Sequence, residues 1–276
     1  MLTNRPPCKL PDVLKIANLQ WNIRLNDFPA NLDAFERLLE KAIKGGADIV
    51  SLPEMWTQSF CGGRLPAEAE KIEERLSLCS EKARKNRIWI AAGTFPEPTG
   101  TKKVFNTFHF FDPHGKVRLK YRKIHLFPKT GEPREFLSPL KNPVPKPFKS
   151  GNWNIGAGIC YDLRFPELFR IQMKLGANLF FVPAQFPNPR LNHFSLFSCS
   201  RAIENLSYLV ATNRCGTGIE LTFPGNSQII DPLGIQLSNS GEKEGCRIAE
   251  IDFKKLKTIR KQFPFLEPSP LLEKLK

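Results

Sequence analysis

The sequence predicts an α/β fold in one domain spanning residues 1–276. Segments with strand character alternate with segments of helical periodicity, and they do so in both halves of the chain. No linker, low-complexity tract or short repeat divides the chain. The two halves read as pseudo-equivalent parts of one fold.

In the first half, "KIANLQW" (15–21) reads as a strand and "ANLDAFERLLEKAIKGG" (30–46) as an amphipathic helix closed by Gly45-Gly46. Leu32, Phe35, Leu38, Leu39 and Ala42 recur at helical spacing and make one apolar face. "ADIVSLPE" (47–54) is a buried strand ending at a proline turn, and a second helix over about 67–86 leads into the strand "RIWIAAGTF" (87–95). "VFNTFHFFD" (104–112) and "GKVRLKYRK" (115–123) form two strands around the turn Pro113-His114-Gly115. Residues 127–150, rich in proline and lysine, read as a long ordered loop, a length that usually serves function.

The second half repeats the pattern. A strand over 153–160 precedes a helix near 166–175, and a strand over 178–183 precedes a helix near 191–206. Strands follow at 208–213, 226–232 and 246–252, with a short helix from Phe253.

Hydrophobic residues at 41% and charged residues at 25% are ordinary for a soluble globular chain. No apolar stretch approaches the roughly 20 residues of a membrane span, and "MLTNRPPCKLPDVLK" lacks the apolar region of a signal peptide. The expectation is a cytoplasmic protein with no membrane partner. Cysteines at 8, 61, 79, 160, 199, 215 and 246 are odd in number, scattered and free of any C-x-x-C, against both a disulfide framework and a zinc site. The net charge of +14 raises a nucleic-acid reading, but the basic residues are dispersed and not interleaved with aromatics, so no nucleic-acid partner is expected.

Ligands of open α/β sheets gather at the carboxyl ends of strands. Three polar residues fall at predicted strand ends: Glu54, Lys123 and Cys160. Singly they read as a turn cap, a solvated charge and a core filler. Together they make a chemical set, because a carboxylate can take the thiol proton and an ammonium can favour the thiolate and then an oxyanion. A Cys–His arrangement using His109, His125 or His193 is the rival, and residue types alone leave both open.

The blocks "ADIVSLPEMW", "YRKIHLF" and "GICYDLRFPEL", in this order and spacing, resemble the nitrilase (carbon–nitrogen hydrolase) superfamily, over a core of about 15–265. The resemblance implies a four-layer α-β-β-α sandwich, usually dimerised, that uses no metal or organic cofactor. It implies Glu54 as general base, Lys123 as catalytic lysine and Cys160 as nucleophile, with the Tyr161 backbone N–H assisting the oxyanion. Glu132 in "KTGEPREF" is the best match for a supporting second glutamate, with Glu135 its competitor. Arg201 and Glu204 in "RAIENLSYLVATNRCG" are expected to form a structural ion pair. "CYDLRFPEL", "PNPRLNHF" and "RAIENLSYLVATNRCG" look most like bacterial omega-amidases, which cleave the terminal amide of 2-oxoglutaramate and similar 2-oxo acid amides; Phe194 stands where their tryptophan is expected. Deaminated-glutathione amidases are the nearest alternative, ahead of N-carbamoyl amino acid amidases and nitrilases. Arg164 is a candidate for holding a substrate carboxylate, weighed against a surface or ion-paired arginine.

Overall fold

The computed structural model describes residues 9–60, 62–128, 131–139 and 143–266. Cys8 and Cys61 lie outside the described residues, as does part of the predicted 127–150 loop. Two six-stranded sheets pack face to face, and helices cover the outer side of each.

The first sheet is built on the parallel strands β1 (Val13–Gln20), β2 (Ile49–Ser51) and β3 (Trp89–Pro98). Antiparallel β4 (Val104–Phe111) and β5 (Val117–Arg122) extend it beyond β3. Both faces of the parallel strands are buried, which is why they read as continuous apolar runs. Alternate residues serve different layers. Ala17, Leu19, Val50, Leu52, Ile90 and Ala92 pack outward against helices, whereas Leu14, Ile16, Ile49, Trp89 and Ala91 pack inward against the other sheet.

The outward layer is α1 (Phe28–Lys44) and α3 (Ile72–Asn86), which contribute Phe35, Leu38, Leu39, Ala42, Cys79 and Ala83. The Asp27 carboxylate caps α1 by accepting the Ala30 N–H at 3.1 Å, with Pro29 in the first turn, where a missing N–H costs nothing. The helix expected over 67–86 is broken. A short α2 (Leu65–Ala69) ends at Glu70-Lys71, where Lys71 N–H bonds the carbonyl of Glu68 and the turn tightens before α3.

The second sheet contains parallel β7 (Trp153–Ala157), β8 (Leu179–Ala184) and β9 (Tyr208–Asn213). Antiparallel β6 (Phe148–Ser150) edges it on one side, and β12 (Gln228–Ile230) and β13 (Gln236–Asn239) on the other. Phe181 faces the first sheet, 5.5 Å from Phe110, while Phe180 faces outward, 5.4 Å from Phe169 of α5 (Pro166–Lys174). A Cβ on Gly156 would meet the Phe180 ring at 2.5 Å, and one on Gly158 the Phe169 ring at 2.7 Å. Glycine at these positions lets α5 press onto the strand that leads to Cys160. α6 (Leu191–Glu204) completes this outer layer with Phe194 and Ala202.

β14 (Gly245–Asp252) returns to pair antiparallel with β1, so the C-terminal strand lies in the N-terminal sheet. α7 (Phe253–Gln262) follows it, capped by the Asp252 carboxylate on Lys254 N–H. Between the sheets, Thr212 donates to Asn18 Oδ1 at 2.7 Å and its hydroxyl meets that of Ser51 at 2.6 Å, a polar stitch that fixes their register. These are the four layers of an α-β-β-α sandwich.

The stretch 127–150 differs from the expected loop, because α4 (Glu132–Glu135) and β6 lie within it. The ribbon β10 (Cys215–Thr217) with β11 (Thr222–Pro224) and strand β13 are additional to the elements read from sequence. All are too short for periodicity to reveal.

Candidate active site

β2, β5, β7, β8 and β9 send their carboxyl ends to one edge of the sandwich, where a cavity of about 960 Å³ opens. Glu54, Glu132, Cys160, Gln185 and Arg214 all line it.

Glu54 follows β2 across Pro53 and is fully buried. Its Oε1 accepts from Lys123 Nζ at 3.0 Å and Asn106 Nδ2 at 2.8 Å, and its Oε2 from the Gln185 backbone N–H at 2.9 Å. Lys123, one residue past β5, is equally buried and also donates to Glu132 Oε1 at 3.0 Å. Glu132 opens α4 and is tied down through Oε2 by the Phe127 N–H at 2.8 Å. Of the two competing glutamates, Glu132 therefore meets the lysine. Glu135 lies in the cavity wall, and burial pushes its carboxyl up.

Burial alone would lower the Lys123 pKa, but the adjacent Glu132 and Glu54 carboxylates outweigh it and hold the ammonium well above the ordinary lysine range. The Glu132 carboxyl is pushed up by burial and by Glu54, against the pull of Lys123. Burial, reinforced by Glu54, likewise raises the Cys160 thiol well above the ordinary cysteine range, while Lys123 and the Gln185 N–H act in the other direction. Resting Cys160 is thus a protonated thiol beside a carboxylate that can take its proton.

Cys160 is placed by a strained turn. β7 ends at Ala157, and Cys160 begins a 3-10 turn running to Arg164 with φ 45°, the left-handed region that a side chain disfavours. A buried carboxylate that sequence reading did not single out holds this turn. Asp162 Oδ2 accepts the Ile159 N–H at 2.9 Å and the Tyr121 hydroxyl at 2.7 Å. Its Oδ1 accepts the His125 N–H at 3.1 Å and meets His125 Nδ1 at 2.7 Å. Asp162 thereby ties the Cys160 turn to the chain on both sides of Lys123. Its position within "CYDLR" was visible, but partners about forty residues away were not.

The histidines of the rival arrangement lie elsewhere, and none lines the cavity. His109 is buried between Phe95 and Phe111, and burial lowers its pKa to about 4. His125 stacks on Phe165 at 3.6 Å, and His193 Nδ1 meets Arg164 Nη2 at 3.0 Å.

Arg164 sits in the cavity wall among the Tyr161, Phe186 and Phe197 rings. Among the described residues it forms no ion pair with a carboxylate. Arg190, above the Phe127 ring, lines the cavity as well. Tyr161 packs between Phe127 and Phe165. Arg201 and Glu204 form their ion pair at 2.9 Å, and Arg201 Nε also holds the Leu163 carbonyl of the nucleophile turn. Among the described residues no group of three or more His, Cys, Asp or Glu is placed to hold a metal ion, and no helix is long and apolar enough to cross a membrane.

A buried carboxylate–ammonium–carboxylate array beside a strained cysteine has the groups that acyl transfer through a thioester requires. The carbon–nitrogen hydrolase family model matches residues 15–261, and the chain belongs to that family. It is a hydrolase of carbon–nitrogen bonds in linear amides. Over 269 residues it is 35% identical to deaminated glutathione amidase of Synechocystis sp., covering 91% of this chain and 96% of the relative. Over 253 residues it is 32% identical to 2-oxoglutaramate amidase of Bacillus subtilis, with the same coverage. A variant of the amidase from Nesterenkonia sp. AN1, carrying the acetamide moiety of fluoroacetamide on its active-site cysteine, superposes with a TM-score of 0.80 at 26% identity, covering 90% of this chain and 95% of that one.

Proposed function

We propose that the protein hydrolyses the terminal amide of a small 2-oxo acid amide of the 2-oxoglutaramate type, giving the carboxylate and ammonia. The observation that carries this reading is one cavity holding both Cys160, beside the Glu54–Lys123–Glu132 array, and two arginines free of carboxylate partners among the described residues. Glu54 takes the thiol proton as Cys160 Sγ bonds to the amide carbon. Lys123 and the Tyr161 backbone N–H stabilise the oxyanion; the first N–H groups of a helical turn have no partner within it. The C–N bond breaks as Glu54 returns the proton to nitrogen. Water, deprotonated by the same carboxylate beside Glu132, then attacks the thioester and releases the acid and the Cys160 thiol.

Arg164 would meet the substrate carboxylate by charge-assisted hydrogen bonds, with Arg190 on the same wall. A cavity of about 960 Å³ exceeds what a five-carbon amide fills, and this favours deaminated glutathione as a second reading. Ammonia release from 2-oxoglutaramate, deaminated glutathione, an N-carbamoyl amino acid and a nitrile separates the readings: the fastest turnover per active site is expected with 2-oxoglutaramate. Turnover of the nitrile alone would contradict both.

The chain acts as one catalytic unit without a resident cofactor, in the cytoplasm, and with no nucleic-acid or membrane partner. Pairing of two copies is supported by large apolar side chains left exposed on the outer helices, among them Leu196 at 65% and Leu175 at 53%, beside Ile171 and Ile203. A monomer by sedimentation at micromolar concentration would contradict the homodimer.

A further inference from the structure

Besides Lys123, a second buried cation lies at this cavity, Arg214. It follows β9, is 1% exposed, and lines the cavity floor. Among the described residues it has no carboxylate partner, and its Nε has no hydrogen bond. Burying an uncompensated guanidinium is expensive, yet even here burial lowers its pKa only to about 10, so it stays charged at neutral pH.

Its two arms reach neutral acceptors on separate walls. Nη2 donates to Asn22 Oδ1 at 2.9 Å, the Thr217 carbonyl at 3.0 Å and the Ile23 carbonyl. Nη1 donates to Ser59 Oγ at 3.1 Å and Gln185 Oε1 at 3.2 Å, and Ser59 Oγ itself donates to Gln185 Oε1 at 3.1 Å. Gln185 then grips Glu54 twice, with its Nε2 on the Glu54 backbone carbonyl at 2.8 Å and its backbone N–H on Oε2 at 2.9 Å.

We infer that Arg214 and Gln185 are positioning residues for Glu54: Arg214, with Ser59, fixes the Gln185 amide, and Gln185 sets the height and orientation of the carboxylate facing Cys160. This rests on the reading of Glu54 as the base that deprotonates the thiol. Arg214 does not act on the substrate, because its guanidinium is engaged and almost fully covered. The orientation of the amide is also determined, since Oε1 must face two donors and Nε2 the carbonyl. The oriented amide holds the Glu54 backbone while the Gln185 backbone N–H holds its carboxylate, so the placement of this one residue controls a distance to which proton transfer is steeply sensitive.

The test uses the full chain and reads alkylation of Cys160 by iodoacetamide, followed by mass analysis of the Cys160 peptide, which needs no knowledge of the physiological amide. Only the thiolate reacts; with Glu54 as acceptor of the thiol proton the rate reports that transfer, which outweighs the opposing charge effect of the carboxylate on the thiol. Glu54→Gln sets the reference. Gln185→Leu and Arg214→Met are each expected to slow alkylation at least ~10-fold, on the scale of losing one positioned proton-transfer group. The double variant should be no slower than the worse single one, as residues acting in one chain are non-additive. In amide turnover, kcat should fall with KM within about twofold, since neither residue adds uniform substrate binding.

Wild-type alkylation in Glu54→Gln would defeat the base assignment, and the inference with it. Slow alkylation in Glu54→Gln beside wild-type rates in Gln185→Leu would overturn the inference alone. Additive effects, a rise in KM at unchanged kcat, or a lowered melting temperature with unchanged alkylation would overturn it as well. Should Arg214→Met fail to fold, Arg214→Lys replaces it in the same cycle: it keeps the charge but cannot reach both walls, and is expected to stay slow.

Discussion

Beneath the floor of the cavity Lys123 holds two carboxylates at 3.0 Å each, whereas at its rim Arg164 and Arg190 rest against aromatic rings and, among the described residues, have no carboxylate partner. The catalytic groups sit at or next to strand ends, with Glu132 held by the Phe127 N–H, and Lys123 is paired with both carboxylates before any substrate arrives. The rim comes from turns and loops and leaves cationic groups to be satisfied from outside. On the proposed reading the chain separates the chemistry, fixed in advance, from recognition, which the ligand completes. Substitutions at the floor should act on the rate of acylation, and those at the rim on affinity.

The largest effects belong to the floor. Cys160→Ala should abolish turnover while leaving the melting temperature nearly unchanged, and Cys160→Ser should be almost as inactive because a hydroxyl is far harder to deprotonate. Lys123→Met should lose ~10²–10³ or more in single-turnover acylation, the scale of removing an oxyanion donor. It should also destabilise the fold, since Glu54 and Glu132 would face each other across an apolar side chain. Near-normal acylation in Lys123→Met would break the comparison at its base.

Asp162→Asn probes the support beneath the floor. One of its oxygens becomes an NH₂ facing donors from Tyr121, His125 or Ile159. A loss of about 1–3 kcal/mol in denaturant unfolding is expected from the buried donors left unpaired. Acylation should slow by an amount between those of the floor and rim variants. Unchanged stability would show that the turn around Cys160 is held by its backbone alone.

At the rim, Arg164→Gln should raise KM for 2-oxoglutaramate about 10-fold or more, since hydrogen bonds to charged groups contribute roughly 1.5–3 kcal/mol. Cleavage of an uncharged amide such as propionamide should be unaffected. A loss of kcat with both amides would move Arg164 from recognition to chemistry.

The smallest effect on turnover is expected at His109, far from the cavity but relevant to acid stability. Its folded pKa of about 4 lies below its ordinary 6.5, so the unfolded chain binds more protons between these values. Stability should therefore fall as pH drops from about 6.5 to 4. His109→Gln should flatten this window, measured by denaturant unfolding at stepped pH, while turnover at neutral pH stays close to wild type. A steep loss of acylation in this variant would revive the Cys–His arrangement.

The floor was more legible in sequence than the rim for a physical reason. Glu54 and Cys160 each follow a hydrophobic run and Lys123 an alternating strand, and strand ends are where an α/β sheet exposes chemistry. The long apolar strands and α1 were readable because both faces or one stripe must be buried. Gln185 and Arg214 also follow strand ends, but their partners on the β1–α1 loop and around Glu54 and Ser59 are at least 126 residues away in sequence. Arg190 lies in a proline-rich loop with no periodicity. Glu132 was recognisable by pattern, yet only the fold of α4, four residues long, distinguishes it from Glu135.

The proposed reaction turns on Cys160 attacking the amide carbon and carrying the acyl group. Rapid acid quenching of the protein mixed with 2-oxoglutaramate, followed by peptide mass analysis, measures this directly. A transient adduct on the Cys160 peptide, equal to the substrate less ammonia, is expected to form before free product and to be absent in Cys160→Ala. Ammonia released with no adduct, or an adduct on another cysteine, would contradict it.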